Sequence, residues 1–435
     1  MNDSALFSAH VLERKRRAEA ALEGTRFEAL VLSSGKPHTY FADDWDAPFK
    51  SLAHFAHWCP LEGPHHLLVV TPGRKPRLIR HAPEDYWFEP QGLGDPFWTS
   101  EFEVETAGSL TDAWNALGRP KNTAYVGDEA ARAEEAGLSP NPAQVLARLD
   151  WDRAYKTDYE VHCLERAMRV GAKGHVAARD AFEAGGSELE IYYAFLEAME
   201  ATGNDLPYNA IVALDEKAAF LHYEAKRTVR DGRVLLIDAG AQFRGYACDI
   251  TRTHVSRRCH PRFVALRDGM EAIQQDLCAR VRPGAPFGDL HLEAHAKIAA
   301  LLVENGIVKA TAAEAMEEGW TRPFFPHGLG HHLGLQVHDV GGHLRDRDGA
   351  KAPPPREHPY LRNTRAIEPG HFFTIEPGIY FIEMLLRELR SGEASSRFDW
   401  TLIDELAPLG GIRIEDDVLV TANGHRNLTR EALEG

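Results

Sequence analysis

Four histidines stand within twelve residues in the most distinctive stretch of the chain, PHGLGHHLGLQVHD at residues 326–339. Its three glycines oppose a continuous helix and allow the backbone to bend closely around something small. His331 and His338 are an odd number of residues apart, so they would point to opposite sides of a straight strand. Because histidine is the commonest transition-metal ligand and titrates near neutral pH, the stretch indicates a metal or proton-transfer site. Taken by itself, it also fits a surface loop that binds nothing.

Two aspartates lie on apolar strands further up the chain. Asp238 ends the run LLID and Asp249 follows in CDIT, with Arg244-Gly245 predicted as the hairpin turn between them. If the loop is instead Phe243-Arg244, the two carboxylates face each other across the ladder, with Cβ atoms roughly 4.5–5.5 Å apart. A bulge at the glycine would shift that register. Two like charges so close require a cation or a shared proton.

Two glutamates also lie on or at the end of apolar strands. Glu376 ends the apolar strand of TIEPG, and Glu415 lies in GIRIEDD on the same strand face as Arg413. Each acid alone is better explained as a strand end in water or in an ion pair. Together with the two aspartates and a histidine, they form an oxygen-rich ligand set that suits Mn²⁺ and, less distinctively, Co²⁺ or Zn²⁺. Four carboxylates exceed the need of one ion, which favours two ions about 3.5–4 Å apart.

The composition limits the classes of protein to consider. The chain has 435 residues and a formal net charge of −16, which disfavours a nucleic-acid partner because phosphate contacts need lysine and arginine. The chain contains no run of about 18 apolar residues, so no membrane span is expected. Residues 1–9 lack the pattern of a secretory signal. Five cysteines at scattered spacings, without a CxxC pair, indicate free thiols in a reducing cytoplasm.

Two differently patterned parts follow along the chain. Residues 1–155 hold six of the eight tryptophans and predict a separate α/β core, with a strand at 27–33 and a hairpin at 67–80 whose turn is 71–74. From residue 156, helices and hairpins interleave without a βαβ rhythm, which is typical of an α+β domain. This part is predicted to contain helices at 156–182, 189–202 (opened by a capping box at Ser187 and Glu190), 263–281 and 287–305, and strands at 234–239, 246–255, 371–376 and 411–419.

The ordered acids and histidine resemble the metal ligands of a known family, the pita-bread metallopeptidases, which include methionine aminopeptidase, aminopeptidase P and prolidase. The resemblance rests on Asp238, Asp249, His331, Glu376 and Glu415 with the flanking words IDAGA, HGLGHHLGLQVHD, TIEPGIY and GIRIEDD. It covers residues 156–435, and residues 1–155 are similar, more loosely, to the N-terminal domain of creatinase and prolidase. The words YNAIV, LHY and FFPH are most similar to bacterial prolidases, a subgroup that includes organophosphorus acid anhydrolases.

The resemblance implies an α+β fold and a role for each residue. The pita-bread catalytic domain at 156–435 would hold a dinuclear metal site, and an α/β domain at 1–155 would mediate dimerisation. Asp249 and Glu415 would bridge two ions. Asp238 would complete the coordination shell of one ion, and His331 and Glu376 would complete that of the other. The implied catalytic residues are Glu376, His338, His222 and Arg413, and the implied substrate-binding residues are Arg362, Leu361, His327, Tyr208 and, from a partner subunit, Asp44.

The implied activity is hydrolysis of Xaa-Pro dipeptides by a hydroxide that bridges the two ions, in a cytoplasmic homodimer without nucleic-acid or membrane partners. An Xaa-Pro bond has no N–H, and a dimetal site does not need one. A carboxylate clamp at Arg362 would restrict the substrate to dipeptides, and the same hydroxide could attack a phosphotriester. The alternatives are an aminopeptidase P that accepts longer peptides and a binding module without catalysis; the complete ligand set argues against the latter.

Overall fold

The computed structural model describes residues 2–89, 92–93, 96–118 and 120–435. The chain divides into two compact units, Met1–His162 with Asp346–Lys351, and Cys163–Arg345 with Ala352–Gly435. Compactness is a different property from independent folding, so the domain boundary after residue 155 stays a prediction. Among the described residues, no helix is long and apolar enough to cross a membrane.

The first unit is built on one mixed six-stranded sheet with the order β4-β3-β2-β1-β5-β6. The predicted hairpin at 67–80 is confirmed: Leu67 pairs with Ile79 across antiparallel β2 and β3, and Arg74 N–H donates to the Thr71 carbonyl at 3.1 Å. The strands are β1 Ala29–Ser33, β2 Leu67–Val70, β3 Arg77–His81, β4 Glu103–Ala107, β5 Thr123–Val126 and β6 Ser139–Pro140. The helices are α1 Asp3–Leu22, α2 Ala53–Ala56, α3 Leu110–Asn115, α4 Ala130–Glu135 and α5 Ala143–Arg153, with a 3-10 helix at Pro96–Glu101.

The second unit combines long helices with short antiparallel strand groups, as the α+β prediction requires. Its sheets have the orders β11-β8-β7, β12-β15-β16, β13-β14 and β10-β9. The helices are α6 Asp158–Glu183, α7 Glu188–Met199, α8 Pro261–Ala279, α9 Phe287–Glu304, α10 Ala312–Glu317, α11 Glu383–Ser391, α12 Trp400–Leu406 and α13 Leu428–Glu434, with 3-10 helices at Gly203–Asp205, Asp215–Ala219, Glu393–Arg397 and Ala407–Leu409. The strands are β7 Ile211–Leu214, β8 Val234–Asp238, β9 Gln242–Phe243, β10 Tyr246–Ala247, β11 Thr251–Val255, β12 Phe372–Ile375, β13 Gly378–Tyr380, β14 Gly411–Arg413, β15 Asp416–Thr421 and β16 Gly424–Asn427.

In the hairpin that joins Asp238 to Asp249, the two aspartates are not directly opposite each other. Its turn is Arg244-Gly245, and both residues have positive φ, +52° and +82°, as a two-residue type I′ turn requires. Asp238 therefore pairs with Thr251, so the predicted turn at Arg244-Gly245 is confirmed and the alternative loop at Phe243-Arg244 is wrong. Asp249 lies two residues before Thr251 and so shares its strand face, which places the two carboxylates diagonally rather than directly opposite.

Two strands that were predicted as continuous are interrupted. Residues 246–255 form β10 and β11, and residues 411–419 form β14 and the first part of β15. At the second break, Glu415 N–H leaves its own sheet and donates to the Thr251 carbonyl at 3.0 Å. The alternation pattern cannot show such a change of partner, because it reports the face on which a side chain lies and not the neighbouring strand.

Candidate metal centre

Three predicted ligands converge in the second unit. Single ligand atoms of Asp249, His331 and Glu415 all lie within 4.8 Å of one another, and the three residues are buried. Glu376 joins them, because its Oε1 lies 3.5 Å from His331 Nε2, which is also 3.6 Å from Asp249 Oδ2. An imidazole nitrogen that faces two carboxylates across gaps of this size is suited to share a cation with them.

The backbone next to β12 positions the histidine. Residues 329–333 lie alongside β12: Thr374 N–H donates to the His331 carbonyl at 3.0 Å, and Glu376 N–H donates to the Leu329 carbonyl at 2.8 Å. His331 and His338 do not lie on one straight strand, so the expectation that they point to opposite sides is wrong. The ring centroids of these two histidines are 4.4 Å apart, because the chain between them folds back, with Asp339 N–H donating to the His332 carbonyl at 2.8 Å.

One hydrogen bond orients the His331 ring. Its Nδ1 lies 3.0 Å from the His332 carbonyl oxygen, and a carbonyl can only accept, so we assign the proton to Nδ1. The Nε2 lone pair then faces Asp249 and Glu376. A backbone carbonyl that fixes the tautomer in this way is the usual support of a metal-binding histidine.

Asp238 is linked to the other carboxylates through Tyr208 and Arg413. The Tyr208 hydroxyl lies 2.8 Å from Asp238 Oδ1 and 2.5 Å from Asp249 Oδ1, and an Arg413 amino group donates to Asp238 Oδ2 at 2.5 Å. Tyr208 was predicted as a wall of the substrate pocket; the structure places its hydroxyl on the predicted ligands, and the cavity lining described below does not include it.

The guanidinium of Arg413 also links Glu415 to the same network. Its NH1 donates to the Tyr380 hydroxyl at 2.7 Å and its Nε donates to Thr251 Oγ1 at 3.2 Å. Thr251 Oγ1 in turn donates to Glu415 Oε2 at 2.6 Å. Tyr380 also lies 2.8 Å from His327 Nε2. Sequence reasoning missed Thr251 and Tyr380, although Thr251 lies two residues after Asp249 and Tyr380 lies four residues after Glu376.

The buried carboxylates oppose one another electrostatically. Burial, followed by the charges of neighbouring carboxylates, raises the pKa values of Asp249 and Glu415 well above their usual range. Burial also raises the pKa of Glu376 to about 7, although Arg413 counteracts the shift. Burial lowers the pKa of His331, which keeps the imidazole neutral and available as a ligand. Carboxylates and a neutral imidazole arranged in this way fit divalent cations, because the cation supplies the charge that the protein lacks.

A second carboxylate supports Asp249 from behind. Asp249 N–H donates to Asp417 Oδ2 at 2.9 Å, and Asp417 is fully buried. Asp417 N–H is itself paired with Thr429 Oγ1 at 2.8 Å. The residue was visible in the sequence as the last acid of GIRIEDD, but its role in positioning the backbone of Asp249 depends on contacts between distant segments.

A cavity of about 580 Å³ opens onto these ligands. It brings the five predicted ligands together with most of the predicted substrate and catalytic residues. Asp44 lies in the first unit on an exposed loop, so its predicted contact with a partner's pocket stays a prediction. The lining includes His222, Asp238, Asp249, His327, His331, His338, Leu361, Arg362, Glu376, Arg413 and Glu415.

The cavity wall carries groups of both charges. The Arg362 side chain is exposed to it. After burial, the charge of Arg362 is the main reason why the pKa of His338 falls to about 4. Burial and the charge of Arg413 lower the pKa of His327 to about 3. The cavity wall therefore combines carboxylates with guanidinium groups and neutral imidazoles, which suits a ligand with an anionic end.

Known proteins resemble the chain throughout its length. Residues 162–422 match the model of metallopeptidase family M24, and residues 5–151 match that of the Xaa-Pro dipeptidase N-terminal domain. An Xaa-Pro dipeptidase of Shewanella loihica is 42% identical over 99% of this chain and 98% of its own length, and one of Aeromonas hydrophila is 43% identical over 99% of both. Among solved structures, the low-pH form of Escherichia coli aminopeptidase P has a TM-score of 0.75 at 25% identity and covers 97% of this chain and 95% of that one.

Proposed function

We propose that this chain, which belongs to metallopeptidase family M24, hydrolyses Xaa-Pro dipeptides with the help of divalent metal ions. One observation carries the proposal: the four carboxylates and His331 converge at the wall of the same cavity that exposes the Arg362 guanidinium. Relatives that are 41–43% identical over nearly the whole chain are Xaa-Pro dipeptidases, which supports the substrate class.

We infer that the site holds two ions, most naturally Mn²⁺, with Co²⁺ or Zn²⁺ as alternatives. The four carboxylates supply more oxygen atoms than one ion needs, and the oxygen-rich set suits hard cations. The expected ligands are Asp238, Asp249, His331, Glu376 and Glu415. When bound, two such ions lower the pKa of a water molecule to near neutrality and polarise a carbonyl group.

The chain's own residues then hold the substrate and move its protons. Glu376, at the cavity wall and 3.5 Å from His331 Nε2, is positioned to accept a proton from the attacking water and return it to the departing proline nitrogen. His338 and His222 line the same cavity and are placed to donate hydrogen bonds to the oxyanion that forms at the scissile carbonyl. Arg413 holds Asp238 and, through Thr251, Glu415 in position.

Arg362 gives the site its preference for substrate length. A guanidinium can hold a carboxylate by two parallel hydrogen bonds. If it binds the C-terminal carboxylate of proline, the substrate can extend only one residue beyond the scissile bond. An aminopeptidase P would lack this restriction, and solved structures that resemble this chain include aminopeptidases P, so substrate length is the property to measure.

The test is a comparison of Ala-Pro with Arg-Pro-Pro on the metal-loaded enzyme. A dipeptidase should cleave Ala-Pro and leave the tripeptide largely intact, because the extra residue places the terminal carboxylate beyond Arg362. Ala-Pro-amide is the matched control, since it has the same length without the charge. Faster cleavage of Arg-Pro-Pro than of Ala-Pro would show an aminopeptidase P instead.

Three further properties belong to this proposal. We infer a homodimer in which Asp44 contributes to the partner's pocket, and hydrolysis of phosphotriesters as a side activity of the same site. We also infer a cytoplasmic location, which the five cysteines support because all of them are buried thiols.

A further inference from the structure

Three histidines of the second unit form a cluster that the proposed activity does not use. His291 and His295 lie one turn apart on α9, and His358 lies in the chain segment that precedes β12. Their ligand nitrogens all lie within 4.8 Å of one another. The ring centroids are 4.7 Å apart for His291 and His295, 4.5 Å for His291 and His358, and 4.7 Å for His295 and His358.

The hydrogen bonding of the cluster leaves several nitrogens available. His291 and His295 are each 1% exposed. His295 Nδ1 lies 2.8 Å from Thr321 Oγ1, which orients the ring, while His295 Nε2 and both nitrogens of His291 are buried without a hydrogen-bond partner among the described residues. Buried polar atoms without partners destabilise a fold, so two buried rings that each keep an unpartnered nitrogen beside a third imidazole call for a ligand.

We propose that His291, His295 and His358 bind one transition-metal ion of the Zn²⁺ class, separate from the carboxylate centre. Histidines four residues apart on a helix present both rings on one face, a spacing that zinc sites use. Three neutral imidazoles favour Zn²⁺, Ni²⁺ or Co²⁺ over Mn²⁺, whereas the carboxylate centre favours hard ions. The two sites would therefore select different metals from the same solution.

The surroundings leave a fourth coordination position open to solvent. His358 lines a cavity of about 420 Å³ that also exposes Arg322 and Glu357, so a water molecule can complete a tetrahedral shell. Burial is the main cause of the low pKa values of His291, about 3, and His295, about 2, so both rings are unprotonated at neutral pH. The Arg322 charge lowers the pKa of His358 after burial does, and the same charge weakens the binding of a dication.

An ion at this site would tie two segments together. His358 begins a turn in which Leu361 N–H donates to the His358 carbonyl at 3.1 Å. That turn leads directly to Arg362, which lines the larger cavity. Coordination would thus anchor the segment that carries Arg362 to α9. The metal site itself does not depend on the proposed peptidase activity. Only the effect that anchoring Arg362 would have on substrate binding rests on that activity.

The test separates the two sites by removing the first. In a chelator-stripped Asp249→Asn/Glu415→Gln double variant, we expect Co²⁺ to bind at about one ion per chain, with the visible absorption of a tetrahedral nitrogen site, and Zn²⁺ to displace it. Adding His358→Ala should weaken this binding by more than about 100-fold, since even the loss of an outer partner of a ligand costs roughly 10–100-fold. The matched control is His425→Ala, which removes a partly buried histidine of the same unit that belongs to no such cluster.

A second measurement uses the unmodified ligand set of the carboxylate centre. Elemental analysis of Zn²⁺-loaded wild type should give about three ions per chain, two at the carboxylates and one at the histidines, and His358→Ala and His291→Phe should each lose one. Hydrogen exchange of residues 355–362 should slow on Zn²⁺ addition in wild type and not in His358→Ala. A third ion that persists in both variants, or a double variant that binds no Co²⁺, would overturn the proposal. Dipeptidase activity that fails while the third ion is present would count against the proposed function alone.

Discussion

Single residues at the metal centre combine two roles that are hard to separate. Glu376 is both an expected ligand and the expected proton carrier, and Arg413 balances the charge of carboxylates while it positions them. Their environment explains why: removing several carboxylates from water raises their pKa values, so each needs either a cation or a guanidinium. A substitution in this network therefore has to be tested for metal content as well as for rate.

Glu376→Gln should lower kcat by roughly 10²–10⁴-fold, because an amide cannot carry a proton. Glu368→Gln is the matched control, since Glu368 begins an identical Glu-Pro-Gly word but is 43% exposed at its side chain, 3.9 Å from Arg365. Kinetics on Ala-Pro should be combined with elemental analysis of each variant. A Glu376→Gln enzyme with full metal content and near wild-type kcat would show that another group carries the proton.

Arg362→Ala should lower kcat/KM for Ala-Pro by an amount equivalent to about 2–5 kcal/mol, because the substrate carboxylate loses its charged partner. Hydrolysis of a phosphotriester should fall much less, since that substrate has no carboxylate. Arg356→Ala, an exposed arginine of the same segment, serves as control. Equal losses on both substrates would mean that Arg362 is structural and would move attention to Arg413.

At the scale of elements, the proposed metal centre depends on three hairpin or strand ends that meet. Asp238 ends β8 and Asp249 lies just before β11 in the same hairpin, Glu376 directly follows β12, and the break between β14 and β15 presents Glu415. That break is held by Arg252, whose NH1 donates to the Glu415 carbonyl at 2.7 Å and whose NH2 donates to Asp416 Oδ1 at 2.6 Å. Burial by itself would raise the pKa of Asp416, yet Arg252 and Arg430 keep it below its usual value.

Arg252→Met should therefore destabilise the fold by about 3 kcal/mol, since it leaves the buried carboxylate of Asp416 with Arg430 as its remaining charged partner. Denaturant titration of the metal-free protein measures the change. Arg280→Met is the control, because its pair with Asp276 is on the surface and should contribute little. If the two variants lose the same stability, the Arg252–Asp416 pair contributes no more than a surface pair.

At the scale of the whole molecule, each unit has its own buried polar groups that respond to pH. In the first unit, His10 on α1 is 1% exposed and lies 2.7 Å from Thr157 Oγ1 through Nδ1 and 2.7 Å from the His57 carbonyl through Nε2. Burial, partly opposed by the charge of Glu160, lowers its pKa to about 4. Since an unfolded histidine titrates near 6.5, the unfolded chain takes up this proton first as the pH falls.

The stability that neutral His10 contributes is therefore fully present above about pH 6.5 and is lost as the pH falls towards 4. His10→Gln removes that dependence. The free energy of unfolding of the variant relative to wild type should rise by about 3 kcal/mol between pH 7 and pH 4, at about 1.4 kcal/mol per pH unit. Urea titrations followed by tryptophan fluorescence report mainly on the first part of the chain, which holds six of the eight tryptophans. His38→Gln, an exposed histidine, is the control, and parallel pH profiles of His10→Gln and wild type would contradict the prediction.

The sequence by itself determined the features that depend on neighbouring residues. The periodicity of apolar residues predicted α8 and α9 to within two residues at each end, and the turn residues predicted the β2–β3 hairpin. The types of the ligands also came from the sequence, because carboxylates at the ends of apolar strands are costly unless something binds them. The resemblance of their flanking words to a known family then supplied the role expected of each.

Only the tertiary structure decided which groups meet. The change of partner at Glu415, the support of Asp249 by Asp417, and the approach of His358 to His291 and His295 all join segments far apart in the chain. Local patterns report the face on which a side chain lies, whereas these pairings follow from how whole strands and loops pack against one another. That packing is a property of the complete fold and has no counterpart in any short stretch of residues.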